Sequence, residues 1–118
     1  MATQKQDGLF TDTAEAASDL TGKEFYFATL NSSGKAALCG SGGVVAGVIS
    51  QGRAAGYHVS FNTGGGFLKV VAGGTIAVGD KIQSDASGQA ITGSSNPCGI
   101  AKTAASAGEF VEYYPDRT

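Results

Sequence analysis

A chain of 118 residues with 42% apolar content has room for one modest hydrophobic core and therefore one domain. Charged residues make up only 15% and glycine supplies 19 positions, a turn-dense globular composition rather than that of a disordered tail. The net charge is −2 and the eight Lys and Arg residues are scattered, which removes the electrostatic basis for binding nucleic acid.

No apolar stretch approaches the roughly 20 residues that span a bilayer. The polar opening Met1–Gly8 also lacks the apolar segment of a secretory signal, so the expectation is a soluble protein made in a cytoplasm. In that compartment Cys39 and Cys98 are expected to be reduced, small apolar residues rather than a disulfide. The Asn31-Ser32-Ser33 glycosylation sequon is then without consequence.

Residues 1–22 are small and polar, with Leu9 and Phe10 the only large apolar pair before Leu20. Ordering a backbone costs about 1–2 kcal/mol per residue, and so few apolar side chains do not offset it. The segment reads as an arm, irregular or extended until it meets a partner, leaving residues 23–118 as a single β domain. Leu9, Phe10 and Leu20 are its candidate anchors on a partner surface or within an oligomer.

From Lys23 onward the chain alternates strand and turn. Glu24–Leu30 is rich in aromatic and β-favouring residues and runs into Asn31-Ser32-Ser33-Gly34, the residues of a type I turn closed by a left-handed glycine. Asp85-Ala86-Ser87-Gly88 repeats that spelling between Lys81–Ser84 and Gln89–Thr92. The two hairpins look alike, although two copies do not make a solenoid. Between them lie short runs at 44–50, 57–61, 67–71 and 75–78, each bounded by glycine. Tyr57, Val59 and Phe61 alternate with His58 and Ser60, the period of a strand with one buried face. A last pair, 99–102 and 109–114, ends at Pro115. This spacing predicts an all-β fold, a compact barrel or sandwich of short antiparallel strands with glycine-rich hairpins and an N-terminal arm.

Little in the chain could perform catalysis, which needs a nucleophile, a proton-transfer group and an orienting partner together. His58 is the sole histidine and sits at an outward strand position. Cys39, His58 and Cys98 show no metal-ligand spacing. Gly64-Gly65-Gly66 and Gly40–Gly43 lack the Lys-Ser/Thr of a phosphate loop and read as turns. Asp80 and Asp85 lack the alternating ligands of a calcium loop. No catalytic residue, cofactor, metal or small-molecule substrate is expected.

Two alternatives compete with a purely structural role. The stretch Val71–Lys81 resembles the glycine-rich hairpins of biotinyl and lipoyl carrier barrels, but the turn Asp85–Gly88 contains no lysine and Lys81 opens a strand instead. A glycan-binding or adhesive module would use exposed aromatics, for which Tyr57, Tyr113 and Tyr114 are the candidates.

Taken in order, Ala46–Ile49, Ala55–Val59, Val71–Asp80, Asp85–Gly88, Cys98–Ala101 and Gly108–Val111 resemble the strand phrases of the capsid decoration, or cement, proteins of tailed bacteriophages, over roughly residues 25–114. The resemblance implies a homotrimer on the outer capsid surface of the virion, bound to the major capsid protein and holding neighbouring subunits against internal pressure through many weak contacts.

Overall fold

A computed structural model describes residues 10–64 and 66–115 of the chain. Ten strands follow one another: β1 (Phe10–Glu15), β2 (Phe27–Leu30), β3 (Ala36–Leu38), β4 (Gly47–Gln51), β5 (His58–Gly64), β6 (Leu68–Val71), β7 (Lys81–Ser84), β8 (Ala90–Thr92), β9 (Gly99–Ala101) and β10 (Phe110–Pro115). They form two five-stranded antiparallel sheets, ordered β1-β5-β4-β2-β3 and β6-β10-β9-β7-β8, and no helix occurs among the described residues. The all-β expectation holds. Each sheet curls until single bridges, Ala16 to Ala36 and Ala72 to Ala90, join its two edges, so the architecture is a sandwich of two nearly rolled sheets rather than one closed barrel.

The two sheets are the same unit built twice. β1 to β5 pair among themselves as β6 to β10 do, and matching residues repeat matching hydrogen bonds. The Ala16 amide donates to Tyr57 O at 2.8 Å, and the Ala72 amide to Glu109 O at 2.7 Å. Leu20 donates to Arg53 O at 2.8 Å, and Ile76 to Ala105 O at 2.9 Å. Ile49 donates to Tyr26 O, and Ala101 to Asp80 O, both at 2.9 Å. The similar spelling of the two hairpins is thus the most legible fragment of a duplication that runs through both units.

Those hairpins close as the turn chemistry requires. Asn31 Oδ1 accepts from the amides of Ser33 (2.9 Å) and Lys35 (3.0 Å), and Asp85 Oδ1 accepts from those of Ser87 (2.8 Å) and Gln89 (2.9 Å). An ionised acceptor makes the stronger bond, so Asp85→Ala is expected to cost about 1.5–3 kcal/mol and Asn31→Ala about half of that, measured by urea unfolding.

The alternation read from the sequence is seen in β5 for Val59 and Phe61, which are buried, and His58, which is exposed, whereas Tyr57 precedes the strand and is exposed. The run 75–78 differs from expectation. It contributes one bridge, Ile76 to Ala105, because Asp80 Oδ2 accepts from the Ala77 amide (2.9 Å) and turns the chain there.

From Phe10 on, the segment expected as a separate arm is part of the fold. β1 runs antiparallel to β5, with Thr11 opposite Asn62, Thr13 opposite Ser60 and Glu15 opposite His58. Beyond it, Ala16 and Leu20 are 2% and 1% exposed. Weighing apolar side chains alone against chain entropy leaves out the backbone hydrogen bonds offered by the edge of β5. Leu20 is therefore a core residue and not a surface anchor. Phe10 opens β1 opposite Gly64, and Leu9 lies outside the described residues.

One buried cluster, with Ala16, Leu20, Ala28, Ala36, Ile49 and Val59, fills the first unit. A larger one fills the second and takes in Phe27, Cys39 and Val48 from the first. The units are thereby joined through β2 and β4. Phe27 meets Tyr113 edge to face at 5.8 Å and its amide donates to Gly88 O at 2.7 Å, while the Val71 amide donates to Phe25 O at 2.8 Å. Ser84, fully buried, donates its hydroxyl at this junction.

Candidate interaction surface

The residues weighed for chemistry are dispersed. No group of three His, Cys, Asp or Glu side chains that could hold a metal occurs among the described residues. His58 lies exposed on β5. Asp80 Oδ2 is taken up by the Ala77 amide and by the Thr92 hydroxyl, each at 2.9 Å, and Asp85 by its own turn. Gly40–Gly43 is a turn, the Gly43 amide donating to Gly40 O at 3.0 Å.

Cys39 and Cys98 are not joined in a disulfide. Burial pushes the Cys39 thiol above its ordinary pKa, with hydrogen bonds from Ser84 and Gly40 opposing, so the reactive thiolate is suppressed at neutral pH. A thiol reagent is expected to label Cys98, which is only half-buried, well before Cys39, with both labelled at equal rates in denaturant. Mass spectrometry of the labelled peptides reads the order.

Of the tyrosines considered for glycan binding, Tyr113 is 1% exposed and belongs to the core. Tyr57 is exposed beneath Arg53 in the first unit, and Tyr114 lies on the second sheet. The three do not form one face. A cleft of about 390 Å³ opens between the units, lined by Val44–Gly47, Thr63, Asn96–Cys98, Tyr113 and Pro115, and presents no charged side chain among the described residues.

The two outer sheet faces differ sharply in chemistry despite their common backbone. On the first, the edge strand and its neighbour present Thr11, Thr13, Glu15, His58, Ser60 and Asn62. The matching positions of the second are Phe67, Lys69, Val71, Phe110, Glu112 and Tyr114, with Lys69 opposite Glu112 and Val71 opposite Phe110. Phe67 and Phe110 are 44% and 51% exposed. Phe25, 39% exposed, joins them from the turn before β2, its ring edge-on to Phe110 at 5.0 Å. Lys69 Nζ stands 5.4 Å from the Phe110 ring centre and 6.0 Å from that of Phe25, and Lys102 Nζ stands 4.7 Å from Phe67. Lys102 also pairs with Glu112 at 3.2 Å.

Phe25 occupies left-handed backbone, with φ of 70°, a conformation a bulky side chain seldom adopts. Its counterpart is Gly79 at φ 89°: the amide of Phe25 donates to Ile49 O as that of Gly79 donates to Ala101 O. The fold is content with glycine at this place, yet the first unit holds an exposed phenylalanine there. Sequence reasoning did not single out Phe25, Phe67, Lys69 or Phe110. The signal that finds them is the alignment of the two units, which shows where equivalent surface positions change from polar to aromatic.

Comparison with known proteins assigns this arrangement to a family. The family model described as phage cement protein matches residues 3–113, nearly the whole chain. The chain belongs to the phage cement protein family. No curated protein matches it. Among solved structures, the crystal structure of the head fiber gp8.5 N base of bacteriophage phi29 superposes with a TM-score of 0.73 at 20% identity, covering 94% of this chain and 97% of the other. That likeness is one of fold. Membership of the cement family makes the chain a structural component of a phage head and thus of the virion, in agreement with the resemblance read from its strand phrases.

Proposed function

We propose that this cement protein decorates the outer surface of a phage head, binds the major capsid protein there, and stabilises contacts between neighbouring capsid subunits without catalysing a reaction. The family match across residues 3–113 carries the reading. The duplicated two-sheet fold and the scattered chemistry of His58, Cys39 and Cys98 support it, since a clamp needs shape and contact area rather than a reactive centre. The solved neighbour, the base of a head fiber, supports a place on a phage head. Association as a homotrimer is part of the proposal, because a small glycine-rich domain buries little core per residue and symmetric assembly adds buried surface.

Heads assembled without the protein test this. Added purified protein is expected to co-sediment with them to a fixed number of copies, to appear as density over capsid subunits in electron microscopy, and to raise the temperature at which they release DNA. Heads that take up no protein, or that take it up with no gain in resistance, would refute the reading.

A further inference from the structure

We propose that the outer face of the second sheet, centred on Phe25, Phe67, Lys69 and Phe110, is the surface that meets the phage head, and that it recognises a protein surface with an apolar centre and carboxylates around it. This rests on the proposed function.

Three observations support it. The first is the internal comparison of the two units. Where the first carries Thr11, Thr13 and His58, the second carries Phe67, just before β6, and Lys69 and Phe110 at the equivalent positions, so the fold itself has no need of aromatic residues there. A cluster of exposed phenylalanines that the fold does not require marks an interaction site. The second is Phe25, held at φ 70° where the other unit uses glycine, with its ring on the same cluster.

Charge is the third. The chain carries a net −2, yet among the described residues this face bears Lys69, Lys102 and, at the start of β7 opposite Ile100, Lys81, beside the carboxylate of Glu112. Two copies meeting symmetrically through it would bring these lysines towards one another. An acidic rim on the partner would satisfy them, with the phenylalanines covered at the centre.

The first unit supplies the variant for the test. Phe67→Thr, Lys69→Thr and Phe110→His together place on the second sheet the residues that the equivalent strand positions already accommodate. Binding to heads lacking the protein is measured by co-sedimentation at several salt concentrations, beside sedimentation velocity of the free protein and its melting temperature. The expected result is a fall in affinity of at least about tenfold with an unchanged melting temperature and oligomeric state. Wild-type binding should weaken as salt rises. Lys69→Glu alone should weaken binding, whereas Ser60→Lys on the first sheet should leave it unchanged.

Wild-type binding with an unaltered triple variant would overturn the assignment of the face while leaving the proposed function standing. Tighter or equal binding by Lys69→Glu would overturn the acidic partner. A triple variant that dissociates in solution in parallel with its loss from heads would make the face a contact between copies, and overturn the proposal. Failure of the wild-type protein itself to bind heads would remove the proposed function, and this inference with it.

Discussion

Tyr113→Ala is expected to lower the unfolding free energy by about 3–5 kcal/mol, a large part of the roughly 5–15 kcal/mol that holds an ordinary domain together. Tyr113 is 1% exposed and stands in β10 opposite Ala101 on one side and Leu68 on the other. Its ring also meets Phe27 of the first unit edge to face, with an interplanar angle of 79°. Truncation thus opens a cavity where the two units meet, and neither sheet can close it without shifting against the other. Phe27→Ala should cost a similar amount. The double variant should fall short of the sum by about 0.5–1.5 kcal/mol, the share of an aromatic pair beyond its buried area. Urea unfolding followed by circular dichroism measures all three. A loss under about 1 kcal/mol for Tyr113→Ala would mean that the junction does not hold the units together.

Gly99→Ala is the second substitution with a large expected effect, although it adds a single methyl group. A Cβ at this position would fall far inside contact distance of the Tyr114 carbonyl oxygen and 2.8 Å from the Tyr113 ring. The obstacle is largely backbone, fixed by the β9–β10 pairing that sets Gly99 opposite Pro115. The methyl cannot be accommodated by a change of rotamer. A cost at or above the upper end of the usual 1–3 kcal/mol for overpacking is expected. A Cβ at Gly47, the equivalent residue of the first unit, would lie 2.5 Å from Asn62 O and 2.9 Å from the Phe61 ring, and Gly47→Ala should behave alike. Gly40→Ala is the control, with nothing within 4 Å, and should stay within about 0.5 kcal/mol of wild type. Thermal melts of the three variants decide the matter: equal melting temperatures would show that β9 can move away from β10.

These glycines also show how the sequence could be read and where it could not. Asn31–Gly34 and Asp85–Gly88 were legible because a turn is a local event: an Asx side chain bonds amides two and four residues on, and a glycine takes the left-handed position. Gly47 and Gly99 have the same importance but no local signature. Their need for a missing side chain comes from a carbonyl that approaches from another strand.

The same division runs through the molecule. Composition, turn spelling and period-two alternation determined the all-β class, the runs at 57–61, 67–71, 81–84 and 109–114 that overlap strands, and the order of phrases by which the chain resembles the cement proteins. These are properties of neighbouring residues, which a linear reading contains. Only the tertiary structure decided that Phe10–Glu15 is an edge strand and Leu20 a core residue, because the stabilisation comes from the hydrogen bonds of β5 and from Arg53, far along the chain. It alone decided that the two halves repeat one unit, since their sequences differ at most positions outside the turns and the common feature is the pattern of backbone bonds. The aromatic and cationic face emerged last of all. Phe25, Phe67, Lys69 and Phe110 are scattered along the chain, and antiparallel pairing with sheet curvature is what brings them onto one surface.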